Sequence, residues 1–341
     1  MPEIVVISAT DFHYTRVNPR GRKDDFGATV LRKLSELVET AGRIGADAIA
    51  IPGDIFDRKG QVTIEETADV AGVLAKSKVP VVGIMGNHDQ IGYRLDSLPR
   101  TGYGVLVKAG LLRHLDDGPF FIERDGLVVC LTGVSYQDGV DRGDRRAYFP
   151  ARQQCDWQVH LAHGYLLDTN ESIIEEFTPY ALVAGTEADC IICGHYHPEQ
   201  KVKRVKNERR GCVVICPGAA SRGALTSDNM DRVPKMVILR MSADGLKTSL
   251  REFQTARPAS EVLRFDEKAL KQERDTRLQT FAQSLREEAA QMSESYTPEE
   301  LVAIVGDDMP ELPEGVDRDE VVLEVKRYLE QAGVGRDGGG G

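Results

Sequence analysis

The chain has 341 residues, of which 41% are hydrophobic, so it is long enough for one large α/β domain with an appendage. The apolar run at residues 4–7 is too short for a signal-peptide core or a membrane span, which predicts a cytoplasmic protein with no membrane partner. The net charge of −11 does not exclude nucleic acid as a partner, because the acidic excess lies mainly after residue 257.

Polar residues follow the first two predicted strands. Residues 2–9 lead into Asp11 and His13, whose spacing lets a carboxylate and an imidazole point to the same side. Residues 47–52 form the second strand, and a glycine then lets the chain turn so that Asp54 projects from the strand end. An isolated Gly-Asp pair more often closes a turn. A carboxylate can also hold two cations about 3.5–4 Å apart, which makes Asp54 the candidate bridging ligand.

Later strands repeat this pattern. A helix over residues 28–44 is the crossover between the first two strands, and a capping box at residues 63–66 opens a second helix. Turn signals between residues 111 and 136 indicate antiparallel strands and hence a second sheet. Further strands, at residues 79–85, 157–162 and 189–193, end in polar groups: Asn87, His88 and Asp89, then His163, then His195 and His197.

These strand-end groups together have the composition of a metal site: Asp11, His13, Asp54, Asn87, His88, His163, His195 and His197. Five of the seven histidines belong to this set. Neutral imidazoles, carboxylates and one amide oxygen suit Mn²⁺, Fe²⁺ or Zn²⁺ better than Ca²⁺. Strand alternation turns His160 to the face opposite His163, so His160 is placed outside the site together with His114.

Six cysteines include a C-x2-C pair and a C-x3-C pair, a spacing that superficially resembles a zinc ribbon. The first pair is Cys190 and Cys193, and the second is Cys212 and Cys216; both lie in strand-like runs. We therefore predict buried, reduced thiols rather than a zinc site.

The ordered blocks D-x-H, GD-x-x-D, GNHD, H-G and GH-x-H, spread over residues 11–198, resemble those of the calcineurin-like metallophosphoesterase superfamily. The Ile-Phe-Asp after Gly-Asp, the GHYHP block and the long helical tail most resemble SbcD-type DNA repair nuclease subunits. The flanks of the first block differ from the usual ones, which indicates a divergent member, of a kind that phages carry. The resemblance implies an α/β fold, a four-layer α-β-β-α sandwich of two mixed sheets with a C-terminal helical extension.

For the site, the resemblance implies two divalent metal ions, Mn²⁺ in first place and Mg²⁺, Fe²⁺ or Zn²⁺ as alternatives. The first ion would be held by Asp11, His13, Asp54 and His197, and the second by Asp54, Asn87, His163 and His195. A hydroxide between the ions would attack phosphorus, while His88 would stabilise the transition state and protonate the leaving oxygen. Asp57 and Asp89 either orient these groups or cap turns.

Three functions are compared. The first is a DNA nuclease, exonucleolytic or endonucleolytic, that works with an SbcC-like SMC-type ATPase in DNA repair, recombination or phage DNA metabolism. The second is a phosphodiesterase or phosphatase that acts on a small nucleotide. The third, a non-catalytic scaffold, is disfavoured because packing does not require five histidines at strand ends. The basic segments 16–23 and 201–210 favour the nuclease if they line one groove leading to the metals, and the nucleotide enzyme if they face elsewhere.

Two domains are predicted: the metallophosphoesterase (nuclease) domain at residues 1–257 and an acidic helical extension with a terminal glycine tail at residues 258–341. The extension carries narrow apolar stripes, which either dock on the parent domain or bind a partner. The resemblance implies that this partner is the SbcC-like ATPase, and homodimerisation is the alternative. Only about forty residues separate Gly218 from the extension, where SbcD-like proteins usually carry a sizeable capping domain, which weakens the expectation of duplex handling.

Overall fold

The computed structural model describes residues 2–58, 62–143, 145–169, 176–224 and 226–264. Its strands are β1 Glu3–Ser8, β2 Ala48–Ile51, β3 Val81–Gly83, β4 Arg113–His114, β5 Phe120–Arg124, β6 Leu127–Gly133, β7 Trp157–Gly164, β8 Leu166–Leu167, β9 Thr178–Pro179, β10 Cys190–His195, β11 Lys203–Val205, β12 Cys212–Ile215, β13 Lys235–Ser242 and β14 Gly245–Glu252. Its α-helices are α1 Phe26–Ile44, α2 Ile64–Leu74, α3 Gly102–Lys108, α4 Ser227–Asp231 and α5 Ala259–Val262. The sequence also predicts a short helix over residues 168–177. This segment and the predicted extension lie largely outside the described residues.

The two long helices have the capping residues that the sequence predicts. The Asp25 carboxylate accepts a hydrogen bond of 2.9 Å from the Ala28 N–H at the start of α1, and Gly45 ends the helix with a left-handed φ of 64°. At α2 the Thr63 side chain accepts from the Glu66 N–H, and the Glu66 carboxylate accepts from the Thr63 N–H, so the predicted capping box is confirmed. Both helices cover the first sheet with their apolar faces.

Two mixed sheets form the centre of the fold. In the first, the order is β14-β13-β1-β2-β3-β4, with β1 to β4 parallel and β13 antiparallel to β1. In the second, the order is β11-β12-β10-β7-β6-β5, with a parallel centre and antiparallel strands at both edges. The prediction of a second sheet with antiparallel parts is therefore confirmed. In each sheet the parallel strands run in one direction, which brings their carboxyl ends to a common edge.

Side-chain alternation separates the core into layers. In β1, Val5 and Ile7 pack against the helices, whereas Ile4 and Val6 pack between the two sheets. A third cluster covers the outer face of the second sheet, where the described chain contributes the 3-10 helices Arg146–Tyr148 and Tyr180–Val183. This is the two-sheet sandwich that the resemblance implies.

The cysteines behave as predicted. All six are free, and all except Cys155 are buried. Cys190 packs between the sheets, while Cys193 packs on the outer face of the second sheet, so the C-x2-C pair points in opposite directions. Within the described residues, no cysteine belongs to a group of side chains that converge as metal ligands.

Short helices occupy the segments that the sequence left open. Residues 94–110 form the 3-10 helix Leu95–Arg100 and then α3, which Thr101 caps. Helix α4 lies within residues 221–231, where the sequence pattern predicts a loop, and its Met230 packs against α5. None of the helices in the described ranges is long and apolar enough to cross a bilayer.

Candidate metal centre

The eight predicted ligand and catalytic residues lie at the carboxyl ends of five strands from both sheets. Asp11 and His13 follow β1, Asp54 follows β2, Asn87 and His88 follow β3, His163 is in β7, and His195 and His197 are at and after the end of β10. Side chains from these positions converge in three overlapping groups: Asp11, His13 and His197; His13, Asp54 and His88; and Asp54, His163 and His195. The structure therefore brings together residues as far as 184 positions apart in the chain.

The first group surrounds His13. Its Nε2 lies 3.0 Å from His197 Nε2, 3.5 Å from Asp54 Oδ2 and 3.8 Å from Asp11 Oδ1. Two imidazole nitrogens and two carboxylates thus point at one small volume. These are the four residues predicted for the first ion.

A second ligand group, which consists of Asp54, His163 and His195 together with Asn87, surrounds His163. Its Nε2 lies 3.3 Å from Asp54 Oδ2 and 3.2 Å from Asn87 Oδ1. The His195 ring is 5.0 Å from the His163 ring between centroids. These are the four residues predicted for the second ion. Asp54 belongs to both groups through Oδ2, because its Oδ1 accepts the His88 N–H at 2.8 Å.

The donor set fits cations rather than a closed hydrogen-bond network. His163 Nδ1 lies 2.8 Å from the Pro52 carbonyl oxygen, which can only accept, so Nδ1 carries a proton, and in the neutral ring the Nε2 lone pair faces Asp54 and Asn87. At His13 and His197, two ring nitrogens face each other beside acceptor-only carboxylates. Such a cluster of lone pairs is what two divalent ions with nitrogen and oxygen ligands would satisfy.

The charges in the centre perturb one another strongly. Burial disfavours ionisation of Asp54, but His163, His13 and His88 outweigh burial and hold the pKa of Asp54 far below its ordinary value. Burial disfavours the charged form of His163 as well, yet Asp54 raises the pKa of His163 to about 9. Without a cation, the protonated imidazole of His163 therefore supplies the positive charge beside Asp54.

His88 and Asp57 form a pair at the rim of the centre. His88 Nδ1 lies 2.5 Å from the Asp57 carbonyl oxygen, so Nδ1 is the donor and Nε2 takes no part in this hydrogen bond. Burial lowers the pKa of His88, and Asp54 opposes this shift. The Asp57 carboxylate lies 3.5 Å from His13 Nδ1 and 3.8 Å from His88 Nδ1. Of the two roles considered for Asp57, this geometry favours orientation of both rings.

Asp89 is buried and holds two loops together. Its carboxylate accepts the N–H groups of Ile55 at 3.3 Å, Phe56 at 3.1 Å and Gly86 at 3.0 Å. Burial and the charge of Asp54 raise the pKa of Asp89 to about 7, although the three N–H groups favour the carboxylate. Asp89 thus positions the segments that carry Asp54 and His88.

Backbone strain is concentrated in the centre. Asp11, His13, Asp54 and His195 have φ of 55°, 46°, 48° and 92°, in the region that residues with a Cβ rarely adopt. Neighbouring groups enforce these angles: the His13 N–H donates to the Asp54 carbonyl at 3.0 Å, and the His195 N–H donates to the Asp11 carboxylate at 3.0 Å. The strained backbone aims ligands that an ordinary strand end would splay apart.

The sequence analysis missed supporting residues. Asp116 lies 3.2 Å from His114 and accepts the Ser135 hydroxyl at 2.6 Å, and that hydroxyl accepts the Met85 N–H at 2.8 Å. His114 thus helps to support the GNHD segment. His160 instead forms hydrogen bonds with groups in the outer core. Four tyrosines beside the second group were also missed: Tyr93, Tyr136, Tyr165 and Tyr196. Three of them come within three residues after a strand end, a signal that was available in the sequence.

Arginines of both basic segments are held by side chains outside the ligand groups. Arg16 pairs with Asp69 at 2.7 Å, and Arg22 is buried against Asp24. Arg210 lies over the Trp157 ring at 4.0 Å, at the amino end of β7. Because His163 is six residues further along that strand, the two positions are about 20 Å apart.

Comparisons with known proteins give the following findings. No curated protein sequence matches the chain. Among solved structures, TT1561 of Thermus thermophilus is 15% identical with a TM-score of 0.43, over 73% of this chain and 99% of that chain. A dimetal phosphatase from Danio rerio is 11% identical with a TM-score of 0.47, over 73% and 96%. A 5′-nucleotidase precursor from Thermus thermophilus is 10% identical with a TM-score of 0.47, over 76% of this chain but only 56% of its own length.

The family model described as Calcineurin-like phosphoesterase matches residues 4–199. This range covers more than half of the chain and contains every residue of the three ligand groups. The match and the convergent donors agree that the site is a metal centre for phosphoester hydrolysis. The chain belongs to the calcineurin-like phosphoesterase family, and it is a metal-dependent phosphoesterase.

Proposed function

We propose that the protein is a dinuclear-metal phosphodiesterase that hydrolyses nucleotidyl phosphodiesters. The observation that carries this proposal is the position of Asp54 Oδ2, 3.5 Å from His13 Nε2 and 3.3 Å from His163 Nε2, with His88 on the same rim. One carboxylate oxygen shared by two ligand groups suits a pair of cations that clamp one phosphoryl group. Mn²⁺ is the first choice of ion, with Mg²⁺, Fe²⁺ and Zn²⁺ as alternatives.

The roles of the residues follow from their contacts. Two divalent cations, when bound, supply Lewis acidity at the phosphoryl oxygens and lower the pKa of water in the site. The anionic diester stabilises the imidazolium form of His88 against burial. With Nδ1 held by the Asp57 carbonyl, His88 donates its Nε2 proton to the oxygen that leaves phosphorus. The leaving alkoxide is thereby released as a neutral alcohol, and the neutral imidazole is left on the protein.

DNA is the first candidate substrate among the nucleotidyl phosphodiesters. The Ile-Phe-Asp after Gly-Asp and the GHYHP block, which resemble those of SbcD-type nucleases, support a DNA nuclease, and with it the SbcC-like ATPase as a partner bound through the helices predicted beyond residue 264. The contacts made by the basic segments indicate which form of DNA the protein binds. Arg16 and Arg22 are paired with carboxylates, and Arg210 lies at the opposite end of β7 from His163. This arrangement favours a single strand or a strand end over a long duplex track.

A small nucleotide diester is the second candidate substrate. Arg210 lies over the Trp157 ring and beside Asp189 rather than at the metal centre, which favours a substrate that needs few phosphate contacts. The two candidates share one chemistry at phosphorus and differ in the number of nucleotides that the protein holds.

The experiment compares hydrolysis, with and without Mn²⁺, of a labelled single-stranded oligonucleotide, its duplex and bis-p-nitrophenyl phosphate. Cleavage of the oligonucleotide establishes the nuclease, and hydrolysis of the small diester alone establishes the nucleotide enzyme. If none of these three is hydrolysed while p-nitrophenyl phosphate, a phosphomonoester assayed beside them, is hydrolysed, the phosphodiesterase proposal is wrong.

The variant His88→Gln distinguishes a role of His88 as general acid from a role as metal ligand. Glutamine donates a hydrogen bond but no proton, so we expect oligonucleotide cleavage to fall about 10²- to 10⁴-fold. The loss on bis-p-nitrophenyl phosphate should be much smaller, because its acidic leaving group needs no proton. Equal losses on both substrates, together with loss of bound metal, would instead make His88 a ligand of the His13 and Asp54 group.

A further inference from the structure

Four of the ten tyrosines of the chain form a row at the second ligand group, two of them against His195 and two against those tyrosines. The Tyr165 ring lies 4.1 Å from the His195 ring, and the Tyr136 ring lies 5.4 Å from it. Tyr93 extends the row outward from Tyr136 at 5.9 Å, and Tyr196 extends it from Tyr165 at 6.3 Å. We call this row of rings, Tyr93, Tyr136, Tyr165 and Tyr196, the tyrosine wall.

The wall is reachable by a ligand. Tyr93 is 44% exposed, and the other three rings are only partly buried. The packing of the core does not account for them, because the apolar clusters take up Tyr136 only at their margin and bury other tyrosines, such as Tyr103, completely. Large rings that stay half exposed stabilise the fold less than fully buried rings do. Next to a metal centre, such rings offer an aromatic surface to a ligand.

The backbone of the wall is fixed before any ligand binds. The Tyr136 N–H donates to the Met85 carbonyl at 2.9 Å, and the buried Gln90 amide donates to the Tyr136 carbonyl at 2.8 Å. The Tyr165 N–H donates to the Asp141 carboxylate at 2.7 Å. Tyr93 has a φ of 57°, a conformation that residues with a Cβ rarely adopt and that turns the chain at this position. Rigid rings lose little conformational entropy on binding.

We propose that the tyrosine wall is a stacking subsite for the nucleobase attached to the phosphate that the metal centre cleaves, an inference that rests on the proposed function and narrows its substrate class. An aromatic row accepts any base, because every base has a π-face, and it needs no dense basic groove. The rings are held in place by contacts: Tyr136 and Tyr165 pack against His195, and Tyr93 and Tyr196 pack against those two tyrosines.

The test uses two diesters with the same leaving group, thymidine 5′-p-nitrophenyl phosphate and methyl p-nitrophenyl phosphate, on the Mn²⁺-loaded full chain. We expect the wild type to prefer the thymidine ester in kcat/KM. Tyr93→Leu and Tyr136→Leu should each lower this preference about 5- to 150-fold, the size of one base–aromatic stack, whereas Tyr136→Phe should keep it. Phe121→Leu, which removes an exposed aromatic ring from β5, is the matched control and should leave the preference unchanged.

Equilibrium binding supplies a readout that is independent of turnover. Calorimetry should show tighter binding of thymidine 5′-monophosphate than of 2-deoxyribose 5-phosphate, with the difference reduced in Tyr93→Leu. Equal affinities in the wild type, or a difference that survives both leucine variants, would overturn the subsite. Failure of the proposed function would look different, with neither ester hydrolysed while the base still tightens binding. Tighter binding of an oligothymidylate than of the monophosphate assigns the subsite to DNA, and equal binding assigns it to a free nucleotide.

Discussion

A single methyl group at Gly86 should disable the metal centre without unfolding the protein. A Cβ built at this position would lie 2.1 Å from Asp54 Oδ1 and 2.5 Å from the Asp54 backbone nitrogen. Contacts of a Cβ below 3.0 Å essentially never occur, so Gly86→Ala forces the Asp54 carboxylate to move by roughly 1 Å. The carboxylate cannot simply rotate away, because Oδ1 accepts the His88 N–H and Oδ2 faces both His13 and His163.

The size of the effect follows from the role of Asp54 as the shared ligand. Displacing a group by about 1 Å from its working position costs on the order of 10²-fold in rate, and disturbing the support of a ligand costs about 10- to 100-fold in metal affinity. We therefore expect Gly86→Ala to lose about 100-fold in kcat/KM on bis-p-nitrophenyl phosphate and to bind Mn²⁺ at least about tenfold more weakly. The glycine side of the loop stays anchored by Asp89, so the fold should persist.

The assay combines Mn²⁺ titration by calorimetry, steady-state kinetics and urea unfolding. Gly42→Ala is the matched control, because a Cβ there meets no atom within 4 Å in the exposed part of α1. It should keep full activity and gain about 0.5–1 kcal/mol of stability from the better helix former. If Gly86→Ala binds Mn²⁺ and turns over substrate like the wild type, the bridging role assigned to Asp54 is refuted.

Three further outcomes are expected. Metal binding at pH 7.5 should release about one proton, because the pKa of His163 is about 9 without metal and a ligand imidazole must be neutral. The affinity for metal should therefore rise as the pH approaches the pKa of His163. Calorimetric heats of metal binding that do not depend on the buffer would contradict this proton release. Asp89→Asn should destabilise the fold by about 1–3 kcal/mol in urea unfolding, since the amide NH2 replaces one carboxylate oxygen and turns a donor toward the Phe56 N–H or toward the N–H groups of Ile55 and Gly86; unchanged stability would contradict the loop-holding role. Replacing Arg209 and Arg210 by Gln should leave single-strand cleavage unchanged, and a loss of tenfold or more would place these residues in the DNA path.

The strand-end pattern was sufficient to predict which side chains meet at the sheet edge, and turn signals predicted the second sheet. A glycine followed by a carboxylate or imidazole at the end of an apolar run identifies a chain that stops at a sheet edge and turns, as at Asp54 and His195. Local signals of the same kind predicted the caps of α1 and α2. These features depend on neighbours within a few residues, and the sequence contains such information directly. The division into residues 1–257 and an extension stays a prediction.

The geometry of the centre depends instead on contacts between distant segments. The proton on His163 is fixed by a carbonyl 111 residues away, and the left-handed backbone at His195 is fixed by a carboxylate 184 residues away. Asp54 offers only Oδ2 to both ligand groups because the GNHD loop occupies Oδ1. The tyrosine wall likewise exists only where four loops meet. By itself, the sequence determined which chemical groups are available at the sheet edge. The tertiary structure decided how they are oriented and what they face, because those properties come from packing between segments that no local pattern relates.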